Sequence, residues 1–215
     1  MDKKKTNNFF KLAYTHCEAK GWLAERKFKT PDHFKKMTCQ AFLGNYCWVV
    51  YVAGFRKKVL EQRFSKLKAA YHHFDLEKIV RMDSYDRVLA VFNNKRKLNS
   101  FVTGAKAIAE IGYDEFKKRV LDDWHHLSSL KGIGDVTVHH LAMDLGFDTI
   151  KPDLHVTRVS RLLGARHPFE LADYLSSRFH QKKMVVDAVI FEFCEQQAFK
   201  EYGCQSIEEF IKSKC

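Results

Sequence analysis

The stretch Leu130-Lys131-Gly132-Ile133-Gly134-Asp135-Val136-Thr137-Val138 decides how this chain is read. It lies between a helical segment ending near Ser129 and another beginning near Asp135. Two glycines one residue apart let the backbone turn with positive φ and approach another surface with no Cβ in the way. Amide donors in such a turn, beside the positive end of the following helix dipole, suit a phosphate oxygen. The form is that of two helices joined by a glycine hairpin, and an ordinary tight interhelical turn has the same short pattern.

Outward from the hairpin, apolar residues recur every three or four positions. Only 3 prolines and 10 glycines interrupt them, so an all-α fold is predicted. Thr30-Pro31 reads as the N-cap and first position of a helical segment through Phe34, Met37, Phe42 and the aromatic stretch Tyr46 to Tyr51. Gly44 is the expected break within it. The next helix has apolar Val59, Phe64, Leu67 and Tyr71 on one face, with Arg56, Lys57, Lys58, Arg63, Lys66 and Lys68 around the rest. Short helices are predicted after Asp75 and Ser84, and a longer one from about Asn94 to Glu110, ended by Gly112. Further helices are expected over Asp114 to Trp124, from Pro168 through Phe179, and over Met184 to Tyr202. Ser206-Ile207-Glu208-Glu209 opens a last one as a capping box. No internal repeat, low-complexity tract or long linker separates these segments.

Lysine and arginine number 37 against 26 aspartates and glutamates, a formal net charge of +11 at pH 7 before any of the 11 histidines protonates. With 46% hydrophobic residues and 18 phenylalanines the chain can bury a core, which argues against disorder and leaves a polyanion as the expected partner. The longest apolar run, Trp48 to Phe55 with its glycine, is far short of the roughly 20 residues a membrane helix needs. The basic start Met1-Asp2-Lys3-Lys4-Lys5 leads into polar Thr6, Asn7 and Asn8 where a secretion signal would be apolar, so an intracellular protein of cytoplasm, nucleoid or nucleus is expected. The six cysteines form no C-x-x-C pair and read as buried reduced thiols.

Downstream, Lys151-Pro152-Asp153-Leu154-His155-Val156-Thr157-Arg158-Val159 follows a helix containing Leu141, Met143 and Leu145. The whole run LKGIGDVTVHHLAMDLGF…IKPDLHVTRVSRLLG resembles the hairpin-to-aspartate signature of the helix-hairpin-helix (HhH-GPD) DNA glycosylase superfamily, closest in type to the monofunctional alkylbase and 3-methyladenine glycosylases. Asp153 stands nineteen residues beyond Gly134, where that family places its catalytic aspartate, and His155, Arg158 and Val159 match the context. Phe92-Asn93-Asn94-Lys95-Arg96-Lys97-Leu98 is similar to the helix preceding the family's hairpin, and Ala53-Gly54-Phe55-Arg56 sits where the family carries residues that wedge into the duplex. The similarity covers roughly residues 31 to 165.

The resemblance implies two helical subdomains with a DNA-binding cleft between them: residues 31 to 134, and residues 1 to 30 with 135 to 215. It implies a monomeric DNA repair enzyme that flips a damaged base from double-stranded DNA and hydrolyses its N-glycosidic bond. Cleavage develops positive charge on the sugar, which a fixed carboxylate, Asp153, would stabilise while orienting water. As an alternative role, Asp153 is an N-cap. Gly132, Ile133 and Gly134, with Val136 and Thr137, would grip a phosphate, and Arg56, Lys57, Lys58, Lys95 and Lys131 would contact the backbone. Tyr46, Trp48, Tyr51, Phe55 and Trp124 are candidates for the base pocket or wedge, with core packing as the alternative for each. His155 is a candidate support for Asp153, whereas Asp187 and Glu192 are internal partners or pocket groups. Nothing in the pattern chooses among alkylated, oxidised and deaminated bases.

The chain also departs from the family. Members that cut the abasic strand carry a lysine where Val136 stands, so no lyase step is expected unless Lys131 or Lys151 substitutes. Cys194, Cys204 and Cys215 lack the spacing of an iron–sulfur cluster, and the histidine pairs lack metal-ligand spacing. No cofactor is expected beyond a structural monovalent cation allowed at the hairpin. A non-catalytic hairpin module that binds DNA structures is the reading from another class, and a bifunctional enzyme using a non-standard lysine is a third.

Overall fold

The structure, a computed structural model, describes residues 1–215 and is all-helical without strands. Helices α1 (Lys3–Ala19) and α2 (Ala24–Phe28) come first. They are followed by α3 (Pro31–Lys35), α4 (Cys39–Val52), α5 (Lys57–Ala70), α6 (Leu76–Val80), α7 (Asp86–Val91), α8 (Lys95–Ile111), α9 (Tyr113–Asp122) and α10 (Thr137–Asp144). The chain closes with α11 (Leu154–Leu162), α12 (Pro168–Phe179), α13 (Lys183–Glu195) and α14 (Ile207–Lys214). No helix is long and apolar enough to cross a membrane. All six cysteines are free, with Cys39 and Cys215 half-buried and the others buried.

Local sequence explains most boundaries. Asp75 and Asn94 accept from the Lys78 and Lys97 amides as N-caps of α6 and α8, and Ser206 does so for α14 from the Glu209 amide. Ser84 does not cap the next helix: α7 begins at Asp86 behind Tyr85, which makes no side-chain cap bond. Other boundaries also differ from expectation. Gly44 stays within α4 with the Phe74 ring against it, and the break falls earlier, where the Thr38 hydroxyl caps α4 through the Ala41 amide. The segment expected to run from Met184 to Tyr202 is broken by Gln197 in a left-handed conformation, and Ala198–Tyr202 continues as a 3₁₀ turn. No glycine or proline marks that break.

The chain divides into two compact units, Met1–Thr30 with Gly146–Cys215, and Pro31–Leu145. The boundary expected after Gly134 therefore lies after Leu145, because α10 packs on α4 and on the 3₁₀ turn Trp124–Ser129. Positive charge is shared between the units: the inserted unit holds 19 lysines and arginines against 13 acids, the terminal unit 18 against 13.

The terminal unit is built around α13, whose Met184 to Ile190 are all buried, with α1, α2, α11 and α12 packed on it. Phe9 of α1 meets Phe193 edge-on at 6.1 Å, and Phe193 lies 4.9 Å from Phe210 of α14. Burying each such ring contributes roughly 1.5–3 kcal/mol.

The inserted unit is built around α4 and α8. Tyr46 of α4 and Tyr51 are fully buried. The Tyr46 hydroxyl lies 2.9 Å from the Ser100 carbonyl and 2.5 Å from the Lys131 carbonyl, and so ties α4 to α8 and to the glycine turn. The hydroxyl end of its ring lies against Gly104, where an added Cβ would come 2.1 Å from the hydroxyl. Tyr46→Phe should lose about 1–3 kcal/mol, the cost of leaving a buried carbonyl unpaired, and Gly104→Ala should lose more through overlap. Urea unfolding of the two variants measures both losses.

Candidate functional site

In the inserted unit, the C-terminal end of α4, the first turns of α8 and the segment Ser128–Gly134 enclose a groove of about 1120 Å³. Val50, Gly54 and Phe55 line one wall, and Asn94, Arg96, Lys97 and Ser100 another. Gly132, with φ +87°, seats the turn, and a Cβ there would come 2.8 Å from that of Ser100. The positive φ and the close approach expected of both glycines are found at Gly132; Gly134 has neither, and the space beside it is open.

Within the turn the amides expected to meet phosphate already have partners. Ile133 N–H donates to the Leu130 carbonyl at 3.1 Å, and Gly134 N–H donates to the Thr137 hydroxyl at 2.8 Å. The preceding segment, Trp124–Ser129, is 3₁₀ rather than α, and α10 begins at Thr137. Val136 is exposed and Ile133 buried.

The predicted basic residues fall on this unit's surface. Arg56, Lys57, Lys58, Lys95 and Lys131 are all exposed, Arg56 being the N-cap of α5 and Lys57 lying 3.7 Å from Glu61. Lys97, expected only as part of the Phe92 to Leu98 run before the hairpin, is the residue that ties two sides of the groove together. Its Nζ donates to the carbonyls of Val50 at 2.7 Å and Ala53 at 2.6 Å and lies 5.1 Å from the Phe55 ring centre. Burial lowers its pKa to about 8, with the neighbouring Arg96 charge adding to the effect. One signal was legible: α4 has no cation in its last turn, so its terminal carbonyls need one from elsewhere.

The aromatic candidates divide. Tyr46 and Tyr51 are core residues: Tyr46 is bound as above, and Tyr51 shares a 2.7 Å hydrogen bond with Tyr71. Burial pushes both phenols far above their usual range, so they stay neutral, and neither ring face is open to stack on a base. Trp48 is half-buried, edge-on to Phe64 at 5.1 Å. Phe55 is 43% exposed and lines the groove. Trp124 stacks on His125 at 3.8 Å and meets His139 at 5.2 Å.

In the terminal unit, Asp153 is the N-cap of α11. Its Oδ1 accepts from the amides of His155 at 3.0 Å and Val156 at 3.1 Å, and its Oδ2 lies 3.1 Å from Lys151 Nζ. Capping and proximity to a cation are thus combined on one carboxyl that is 16% exposed. His155 meets Asp153 through its backbone; its ring lies 3.2 Å from Glu195 and edge-on to Phe191. Arg158 pairs with Glu208. Leu154, beside Asp153, is 88% exposed.

A second carboxyl stands behind this corner. Asp187 of α13 is buried and accepts the Lys151 amide at 2.7 Å. Burial raises its pKa from 3.8 to about 7, with the Asp153 charge pushing the same way, while the Lys151 amide and the charges of Lys151 and Arg26 pull against them. No group of three or more His, Cys, Asp or Glu is placed to hold a metal ion.

Gly132→Ala should cost about 1–3 kcal/mol for the left-handed backbone and a similar amount for overpacking on Ser100, measured by chemical denaturation. Asp187 remains protonated in the folded chain after it has ionised in the unfolded one, so its contribution to stability is complete below about pH 4 and is lost as pH rises to about 7. Asp187→Asn, neutral throughout, should therefore gain on the wild type across that interval by up to about 4 kcal/mol and by a constant amount above it. Thermal melts between pH 4 and 8 test this, and parallel curves for the two proteins would contradict it. Comparison with models of protein families, with curated proteins and with solved structures gives no match to this chain.

Proposed function

We propose that this chain is a monofunctional DNA glycosylase of the helix-hairpin-helix type, which binds duplex DNA and releases a damaged base by Asp153-assisted hydrolysis. The observation that carries this reading is the fixation of the Asp153 carboxyl by two backbone amides and the Lys151 ammonium. A carboxylate held in this way needs no reorganisation to face a cationic sugar or to orient a water molecule. The glycine turn and its groove, with Arg96, Lys97 and Lys131 on the walls, supply the phosphate-binding part of the reading. A phosphate oxygen would take the Gly134 amide in place of the Thr137 hydroxyl, whose proton is donated to the Gly134 carbonyl.

Val136 leaves no amine at the family's lyase position, and Lys151 is engaged with Asp153. Base hydrolysis without strand cleavage is the reaction proposed, with Lys131, exposed on the groove wall, as the lysine a lyase step would have to use instead.

A panel of duplexes carrying methylated, oxidised and deaminated bases, assayed for free base, tests the activity. Asp153→Asn keeps the N-cap, because asparagine caps as well as aspartate, but should slow release by about 10²- to 10⁴-fold while leaving affinity for an abasic duplex unchanged. Unimpaired release by that variant would sink the proposal. Borohydride trapping on an abasic duplex should give no covalent adduct. Binding should weaken with salt by roughly 0.9 log unit per log unit for each phosphate neutralised, measured by anisotropy titrations.

A further inference from the structure

The segment from Gly146 to Asp153 is latched to α13 by two carboxyls pointing in opposite directions. Asp148, on the segment, accepts the amide of Met184 in the first turn of α13 at 3.0 Å. Asp187, one turn further along α13, accepts the amide of Lys151 at 2.7 Å. The first contact ends α13 as an ordinary cap would. The second serves no helix end: it holds the half-buried stretch Lys151 to Asp153, which follows buried Thr149 and Ile150, against a carboxyl that is only 8% exposed. Burying a carboxyl is costly, and its hydrogen bond from the Lys151 amide is what offsets that cost. Its position two residues before Asp153 gives it a use. From Lys151 the chain passes through Pro152, whose ring fixes φ, directly to the Asp153 carboxyl, so little freedom remains between the Asp187 anchor and the carboxyl it serves.

We propose that Asp187 is a positioning residue for Asp153, holding the Lys151-Pro152-Asp153 corner through the Lys151 amide so that the Asp153 carboxyl and the Lys151 ammonium keep one geometry. Its catalytic consequence rests on the glycosylase reading above, whereas its structural consequence does not. A corner set about 1 Å out of place costs an enzyme on the order of 10²-fold in rate. The acceptor, not the charge, is what the corner needs. Asparagine, which offers a carbonyl oxygen at the same place, should therefore replace Asp187, and leucine should not.

Asp187→Asn and Asp187→Leu are compared with the wild type in two measurements. Amide hydrogen exchange reports the corner itself. The leucine variant should lose protection at Lys151, His155 and Val156 with the interior of α13 unchanged, and the asparagine variant should keep it. Single-turnover release from whichever duplex of the panel the wild type cleaves should fall about 100-fold for leucine, stay within about threefold for asparagine, and leave the Kd for an abasic duplex unchanged in both. Wild-type exchange at His155 and Val156 in the leucine variant overturns the proposal, as does undiminished release. If the wild type frees no base from any duplex, the glycosylase reading fails, and the exchange data still decide whether Asp187 holds the corner. Should Asp187→Leu not fold, Asp187→Ala is measured in its place, with the same outcomes deciding.

Discussion

One phenol hydroxyl organises the inserted unit. Tyr46 has a single proton to give, and two carbonyls, from Ser100 and Lys131, lie within reach of its oxygen. The ring reaches them only because Gly104 leaves room, and Gly132 can settle on Ser100 only because it too has no side chain. Two helices, α4 and α8, and the glycine turn thus meet where neither glycine has room for a side chain. The groove walls at α8 and Ser128–Gly134 are fixed by this junction, and the third wall is closed by Lys97, whose ammonium supplies donors to the end of α4 that α4 itself lacks. A residue expected to touch a ligand therefore acts from behind, by deciding where the surface lies.

The corner at Asp153 follows a related logic with charges in place of volumes. Its carboxyl is tied to α11 by capping and to Lys151 by proximity, and Lys151 is tied to α13 through Asp187. The aspartates experience different surroundings. Asp153 keeps some contact with solvent and three donors, while Asp187 is enclosed and holds its proton to near neutrality.

Much of this was legible in the residues. Helical periodicity, the caps at Asp75 and Ser206, the helix start at Asn94 and the stop at Gly112 appear in the structure where the pattern places them, whereas Ser84 yields the N-cap position to Tyr85. The glycine turn and the Asp153 cap were equally visible, because glycine spacing and a carboxyl after proline have local causes. What was hidden depends on tertiary packing. Tyr46, Trp48 and Tyr51 lie in one aromatic stretch and read alike, yet burial separates two core phenols from one half-buried indole. Lys97 is one lysine in a basic run until α4 ends beside it. Asp187 shows in the sequence only as an acid in an apolar helix, and its partner lies 36 residues away. The break at Gln197 has no local signal, since glutamine adopts left-handed backbone only when its surroundings impose it.

The division of the chain sets an order of assembly. Residues 31 to 145 close upon themselves, whereas the core of the other unit joins α1 to α13 and α14, so Phe9 finds Phe193 and Phe210 only after most of the chain exists. On a ribosome working from the first residue, the groove and its glycine turn can be complete while α1 still waits for its partners, because long-range closure must follow synthesis of both sides. The carboxyl corner, pinned by α13, is then the last functional element to take shape. A nascent chain would acquire its basic groove before the acid with which we propose it does its chemistry.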